Sequence, residues 1–438
     1  MNDPILGSWR PVLARGRACD AREAAAAIGR ALAVEPRSID SPFLADGLAG
    51  RALFFAYLGK SSATSEWTEL GWRFLGRAIE RLAEDVMAEG LYSGFAGVAW
   101  VAEHMGRMLA AGEVPGGGDA NTQIDEVLLE LLETRPWPGD YDLVRGLVGL
   151  AVYAFERLPR RSAHRMLEQI VARLDEEAVR LPDGQVSWLR KPHLLAPEVR
   201  EREPRGHFNL GLAHGVPAIL AVLAGAVRAD VAVSTSASLL TSAWTWLMRN
   251  RLAPAAETTF SYVVAAEASS PTQDAVPARD AWCYGDPGAA AALHVTARLL
   301  ANSEWEAQAL NIARKAAERP ASQCGCLDAG LCHGATGVAL IYQRLWNATG
   351  DKQFAVAAKQ WYERALEARL DTGGIAGFQA YYPRAFGTRP AGWVDDTSFL
   401  SGAEGIGLAL LAGSTNIEPA WDRVLLTSLR VPGPSTRP

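Results

Sequence analysis

Leu331-Cys332-His333-Gly334-Ala335-Thr336-Gly337 runs directly into Val338-Ala-Leu-Ile-Tyr342, so two glycines three residues apart open a stretch that is apolar nearly all round. Such a stretch is a buried helix rather than a surface one, and the glycines mark the turn that enters it. The spacing returns along the chain, in Gly47-Leu-Ala-Gly50, Gly94-Phe-Ala-Gly97, Gly146-Leu-Val-Gly149, Gly215-Val-Pro-Ala218, Gly285-Asp-Pro-Gly288 and Gly402-Ala-Glu-Gly405. Repetition on this scale is the mark of a helical array.

Amphipathic stretches lie upstream of the buried ones: 66–89, 122–133, 163–180, 235–251, 304–318 and 353–369 carry apolar residues at helical spacing, most with charged faces. The order read is outer amphipathic helix, glycine turn, inner buried helix. A hairpin of this kind cannot bury its faces alone. Stacked and closed on themselves, the repeats predict an all-α fold, an α/α toroid or barrel of seven helical hairpins with inner and outer helix rings. Glycine suits the turns because they need unusual dihedrals and close backbone approach. Residues flanking the turns then converge at one end. A linear helical solenoid is the plainer alternative, and it too keeps the fifth and sixth repeats adjacent.

One domain over residues 1–438 is expected, with insertions at the rim near 180–206 and 254–281. The intervals that begin at Gly146, Gly215 and Gly334 are longer than the others by roughly twenty residues. The first holds Arg180-Leu-Pro-Asp-Gly-Gln-Val-Ser-Trp188, where Asp183-Gly184 between apolar runs signals a hairpin, and it continues through Leu189-Arg-Lys-Pro192. The second holds Ala268 to Ala278, rich in Ser, Pro and Ala. Either is a candidate wall or lid, although a plain solvated loop is the simpler reading.

Composition narrows the class. The chain has 438 residues, 49% of them apolar, enough for a large core, and its 43 basic and 49 acidic residues give a net charge of −6. No basic cluster points to nucleic acid, and no eighteen-residue apolar run or apolar N-terminal segment points to a membrane span or export. A cytoplasmic protein is expected. Five cysteines, an odd number, fit metal binding better than a disulfide framework.

Trp282-Cys283-Tyr284-Gly285 and Leu331-Cys332-His333-Gly334 set two cysteines and a histidine beside glycine turns. Catalytic zinc takes three protein ligands and keeps a fourth position open, and a mixed thiolate and imidazole set suits it. Cys283, Cys332 and His333 are therefore expected to hold one Zn2+ per chain. Hydrolytic zinc sites favour His and carboxylate ligands, so two thiolates argue for sulfur as the nucleophile. His104, His164, His193 and His294 read as ordinary core or surface residues. His207 is a weaker candidate for the pocket wall. Cys324-Gly-Cys326 reads as a loop with incidental thiols, and Cys19 has no companion.

Three motifs in order, Asn209-Leu-Gly-Leu-Ala-His214-Gly, Arg279-Asp-Ala-Trp-Cys283-Tyr284-Gly-Asp-Pro-Gly and Leu331-Cys332-His333-Gly-Ala-Thr-Gly, with Tyr141-Asp142-Leu-Val-Arg-Gly upstream, resemble the lanthionine synthetase C-like family, the cyclases of lanthipeptide biosynthesis. The resemblance spans essentially the whole chain through its seven turns. Six-hairpin α/α glycosidases and terpene or prenyl transferases lack the Trp-Cys-Tyr-Gly and Cys-His-Gly pair. Pro217 and Ala218 depart from the pattern at the fourth turn, and Pro is tolerated in a first helical turn.

What the resemblance implies is zinc-dependent addition of a cysteine thiol to dehydroalanine or dehydrobutyrine in a ribosomally made precursor peptide, giving a thioether ring. His214 matches the histidine that the family uses as the acid. Asp142 matches a family carboxylate that would orient His214 or raise its pKa, with a helix-capping role as the alternative. Arg279 and Tyr284 match two further positions, suited to stabilising an enolate oxygen; an ion pair of Arg279 with Asp280 or Asp286 is the alternative. The implied partners are the dehydrated precursor peptide and a separate dehydratase and exporter, with peripheral membrane association through such a complex. Two other readings stand beside this one: addition of glutathione to dehydroamino acids in proteins, and a non-catalytic zinc-bearing scaffold of a peptide-modifying complex.

Overall fold

A computed structural model describes residues 9–34, 41–62, 64–84, 86–109, 119–266, 276–385, 387 and 389–432. In chain order the helices begin α1 (Arg15–Ala33), α2 (Leu48–Ser61), α3 (Glu66–Glu84), α4 (Phe95–Leu109) and α5 (Thr122–Leu132). Next come α6 (Leu147–Arg157), α7 (Arg161–Glu177), α8 (Pro197–Arg202), α9 (Val216–Arg228) and α10 (Val233–Arg249). The series ends with α11 (Asp286–Leu299), α12 (Ser303–Ala317), α13 (Ala335–Thr349), α14 (Lys352–Glu367) and α15 (Ala403–Ser414). Chain contacts divide the protein into two compact units. One holds Met1–Ala88, Tyr92–Pro115 and Pro320–Trp421, and the other Glu89–Leu91, Gly116–Arg319 and Asp422–Pro438.

The two kinds of helix anticipated from periodicity are present. In the first unit, α2 buries every residue from Leu48 to Gly59, whereas α3 buries only the stripe Gly71, Phe74, Leu75 and Ala78. In the second unit α6 is buried throughout, whereas α7 buries Ala163, Met166, Leu167, Ile170, Val171, Arg173 and Leu174. Their spacing is that of one helix face.

The pairing order is the reverse of the expected one. Five inner helices pack on the amphipathic helix that follows: α2 on α3 and α13 on α14 in the first unit, α6 on α7, α9 on α10 and α11 on α12 in the second, whereas α4 packs on α2 and on the α3 that precedes it. The connections explain this. Leu158 to Arg160 alone separate α6 from α7, and Gly350-Asp351 alone separate α13 from α14, and links this short join antiparallel neighbours. Gly350 ends α13 at φ 74°, and the Asp351 side chain caps α14 by accepting the Gln353 N–H at 3.0 Å. The last inner helix, α15, has no follower. Its cover is α1, from the opposite end of the chain. A buried ion pair, Arg51 Nε to Glu404 Oε1 at 3.1 Å, ties α2 to α15 within that unit.

In the second unit the long connections contribute strands to a sheet, and the one after Gly146 is not a plain solvated loop. Strands β1 (Ala178–Arg180), β2 (Val186–Arg190), β3 (His207–Asn209) and β4 (Val263–Ala265) pair antiparallel in that order. Asp183-Gly184 forms the hairpin turn, with Gly184 at φ 80° and the Leu181 N–H donating to Gln185 O at 2.8 Å. Of Ala268 to Ala278, residues 268–275 lie outside the described residues. Pro277 bridges Ser261, and the Ala278 N–H donates to Phe260 O at 3.3 Å. In the first unit the long interval after Gly334 contributes a second hairpin, β5 (Ala380–Tyr382) with β6 (Gly392–Val394).

Register decides what the four-stranded sheet presents. Arg190 stands opposite His207 and Leu189 opposite Phe208. Side chains alternate faces along a strand, so Arg190, His207 and Asn209 share one face, while Phe208 lies on the other and packs against Trp246 of α10 at 5.4 Å.

Candidate active site and metal centre

The turns at Gly47, Gly146, Gly215, Gly285 and Gly402 share a backbone design: six residues before the leading glycine stands a residue whose carbonyl lies against that glycine, while at Gly334 the Asp328 carboxylate takes that place. A Cβ on Gly215 would sit 2.1 Å from Asn209 O, on Gly285 1.7 Å from Arg279 O, and on Gly402 2.4 Å from Asp396 O. The second glycine meets a carbonyl too, Leu331 O at 1.9 Å for Gly337 and Phe399 O at 1.9 Å for Gly405. Close approach is thus the reason for glycine. The dihedral requirement expected from sequence holds only at Gly285, with φ 95°; Gly215 and Gly402 sit at −139° and −107°, open to any residue. Ala218 and Pro217 do not disturb the fourth turn, since α9 starts one residue after Gly215 as its counterparts do after theirs.

The repeat also fixes which side chains meet. His214, Tyr284 and His333 each precede a leading glycine, and Cys283 and Cys332 each stand one residue earlier. In the second unit the Leu143 N–H donates to Ala213 O at 3.2 Å and the Ala213 N–H to Cys283 O at 3.2 Å, which sets turns three, four and five side by side. In the first unit the Cys332 N–H donates to Leu400 O at 2.8 Å.

Cys283, Cys332 and His333 each offer one ligand atom, and these atoms all lie within 4.8 Å of one another. Among the described residues it is the one group of three such side chains gathered so closely. Zinc bonds of about 2.3 Å to sulfur and about 2.0 Å to nitrogen place tetrahedral ligand atoms roughly 3.5–3.8 Å apart, so the set fits that ion in donor type and in spacing. Cys283 is buried, while Cys332 and His333 keep some exposure. Asp328 Oδ2 lies 4.0 Å from His333 Nε2, the kind of neighbouring carboxylate that aligns a ligating imidazole. Asp328 is itself held, accepting the Gly330 N–H at 3.0 Å and the Tyr381 N–H at 2.9 Å. Cys324 and Cys326 are buried and not part of the group.

In the second unit, His214 Nδ1 lies 2.6 Å from Asp142 Oδ2. Asp142 Oδ1 accepts the Arg145 N–H at 2.7 Å, so this carboxylate both braces its turn and holds the imidazole. Burial opposes the charge on Asp142, but the His214 hydrogen bond and charge, the Arg145 N–H and Arg190 outweigh it and hold the carboxyl below its ordinary range. Asp140 moves the other way, raised by burial and by the Asp142 charge against the pull of Arg190.

Tyr284 stands beside this pair, its ring 5.8 Å from His214 and 5.2 Å from Tyr262. Its phenol is pushed up to about 12, chiefly by burial, so the hydroxyl stays protonated. Arg279 is partly exposed, and its backbone N–H donates to the Tyr262 hydroxyl at 3.1 Å. Of the carboxylates weighed as its partners, Asp280 lies 2.9 Å and Asp286 3.6 Å from Arg319. His207 is buried against Glu203, and burial lowers its pKa.

Arg190 was not singled out from the sequence. Its guanidinium lies 3.0 Å from Asp140 and 4.0 Å from Asp142. Nothing local marks it, since a half-buried arginine on a two-residue pairing is spelled like a surface one. The hairpin signal at Asp183-Gly184 predicts its strand but not its partner strand.

Three comparisons bear on identity. The lanthionine synthetase C-like protein family profile matches residues 38–426. The nisin biosynthesis protein NisC of Lactococcus lactis subsp. lactis is 24% identical over 343 residues, covering 76% of this chain and 81% of that protein. A solved nisin cyclase superposes with a TM-score of 0.73 at 22% identity, covering 93% of this chain and 97% of that one. This likeness carries the all-α toroid class of fold expected from the repeats. No helix among the described residues is long and apolar enough to cross a membrane. With glycine turns, a thiol-rich ligand set and a profile match over most of its length, the chain belongs to the lanthionine synthetase C-like family, cyclases that form carbon–sulfur bonds.

Proposed function

We propose that the chain is a zinc-dependent cyclase that adds cysteine thiols to dehydroalanine or dehydrobutyrine in a dehydrated precursor peptide, closing lanthionine or methyllanthionine rings. The observation that carries this reading is the gathering of Cys283, Cys332 and His333 within 4.8 Å, a set that suits a sulfur nucleophile. Cys283, Cys332 and His333 would hold the ion. Zinc, when bound, lowers the pKa of a coordinating thiol so that it is present as thiolate at neutral pH.

The rest is work for side chains. As the carbon–sulfur bond forms at the β-carbon, the π pair of the alkene moves onto the neighbouring carbonyl as an enolate. Tyr284, a protonated donor, and Arg279 are suited to bind that oxygen. Collapse of the enolate needs a proton on the α-carbon. His214 delivers it from Nε2, since Asp142 engages Nδ1. The thiol proton leaves as the nucleophile forms and one proton arrives at carbon, so the addition is redox-neutral. Asp142 is a positioning residue here.

Cytoplasmic placement, with a dehydratase and an exporter as further partners, goes with this reading. Product made in deuterated water tests it. The native protein should give one deuterium per ring at the α-carbon, with one stereochemistry. His214→Ala should slow ring closure by about a hundredfold while zinc content is unchanged. Ring closure by His214→Ala at the native rate and stereochemistry would refute the assignment. Glutathione adduct in place of a ring would favour thiol addition to proteins instead.

A further inference from the structure

The residue six before the leading glycine recurs as a polar acceptor that braces the turn. Ser41, Asp140, Asn209, Asp328 and Asp396 all hold this position. In three of them the brace is the same bond: Asn209 Oδ1 accepts the Gly211 N–H at 2.9 Å, Asp328 Oδ1 the Gly330 N–H at 3.0 Å, and Asp396 Oδ1 the Ser398 N–H at 2.7 Å. Ser41 does it weakly, with the Phe43 N–H at 3.5 Å. The turn therefore accepts Ser, Asp or Asn, and gains nothing from an amide that a carboxylate does not give.

The second atom of the side chain is where they differ. Asp396 Oδ2 accepts the hydroxyl proton of Tyr382, which ties that phenol back into the fold. Asn209 does the opposite. Its Nδ2 donates to the Tyr284 hydroxyl at 2.8 Å. The amide orientation is not ambiguous, because a backbone N–H can only donate, so the atom facing Gly211 is Oδ1 and the atom facing Tyr284 is Nδ2. Asn209 is fully buried, at 0% exposure.

We propose that Asn209 is a positioning residue that dictates hydrogen-bond polarity: by donating to the phenol oxygen of Tyr284 it leaves the Tyr284 O–H proton available to the substrate oxygen. A phenol has one proton to give. A partner that accepted it, as Asp396 does from Tyr382, would leave only an acceptor facing the enolate, where a donor is needed. The inference rests on the proposed cyclase reading of Tyr284. It explains why the fourth repeat has an amide where the sixth and seventh have carboxylates.

The test uses substitutions taken from the protein's own repeats. Asn209→Ser, the residue of the first turn, removes the donor and leaves the phenol free to rotate. Asn209→Asp, the residue of the sixth and seventh turns, captures its proton. Ring closure on a synthetic peptide with one dehydroalanine and one cysteine should fall in the order native, Ser, Asp. The Asp variant should lose about a hundredfold or more in kcat, with KM, zinc content and Tm near native. In a Tyr284→Phe background, Asn209→Asp should cost nothing more. A turn-bracing role alone predicts the reverse, with Asp at least as active as Ser, and that order overturns the proposal. Native activity of Asn209→Asp beside an impaired Tyr284→Phe also overturns it, while leaving Tyr284 in its role. Native activity of Tyr284→Phe removes that role and the proposal with it.

Discussion

His214 Nδ1 lies 2.6 Å from Asp142 Oδ2, while the other oxygen of the same carboxylate is held by the Arg145 N–H at 2.7 Å. An acceptor on that side fixes the proton on Nδ1 and leaves Nε2 to face substrate. Asp142→Asn keeps the brace with its oxygen on Arg145 and turns an NH2 group toward Nδ1, which no longer accepts the Nδ1 proton, so the imidazole cannot hold protons on both nitrogens and give one from Nε2. Turnover should fall by about 10²- to 10⁴-fold, the range seen when a carboxylate that orients an imidazole is made an amide. Zinc content and Tm at pH 7 should stay near native, and loss of zinc would contradict this division of roles.

The same carboxylate sets a pH dependence. Its native pKa lies below the ordinary value, so its contribution to stability is complete above the unfolded pKa of about 3.9 and disappears as pH falls through the depressed native value. Native protein should lose Tm more steeply than Asp142→Asn below about pH 4. Parallel curves for the two proteins between pH 3 and pH 6 would contradict the shift.

Arg190 lies 3.0 Å from Asp140 and 4.0 Å from Asp142, with 15% of its side chain exposed. Removing it leaves two buried carboxylates facing each other. Arg190→Met should cost roughly 3 kcal/mol in urea unfolding and at least tenfold in ring closure, whereas Arg190→Lys should recover part of both. Native stability of Arg190→Met would show the guanidinium to be incidental.

The glycines separate two kinds of requirement. At Gly405 an added Cβ would sit 1.9 Å from Phe399 O at an ordinary φ, so Gly405→Ala should destabilise by more than about 3 kcal/mol through backbone displacement. At Gly184 nothing lies within 4 Å and only φ 80° resists a side chain, so Gly184→Ala should cost about 1 kcal/mol. Thermal unfolding of the two variants compares them directly.

Much of this was legible because the turn glycines are spaced by carbonyl collisions, which keep glycine at every one of these positions but Ala218. The pairing of helices was not. Periodicity marks α7 as amphipathic and α6 as buried but does not say which neighbour each covers; the three-residue link Leu158 to Arg160 does. Nor did it reveal α1 covering α15, a contact between opposite ends of the chain. Strands of three residues such as His207–Asn209 are too short to alternate visibly, so the hairpin that carries Arg190 was signalled but the strand that sets Asn209 beside it was not. Cys283, Cys332 and His333 were readable since thiols and imidazole beside turns admit few other uses.

The central claim is that the Cys283, Cys332 and His333 group holds zinc for thiol addition. The direct measurement is zinc content together with thioether formation, for native protein and Cys332→Ala, on a peptide carrying one dehydroalanine and one free cysteine. Free thiol should be lost at unchanged peptide mass, in proportion to bound zinc, and a chelator or the substitution should abolish the loss. Thiol loss at the native rate in zinc-free protein, or full zinc binding with no thiol consumed from this peptide or from glutathione, would contradict that claim.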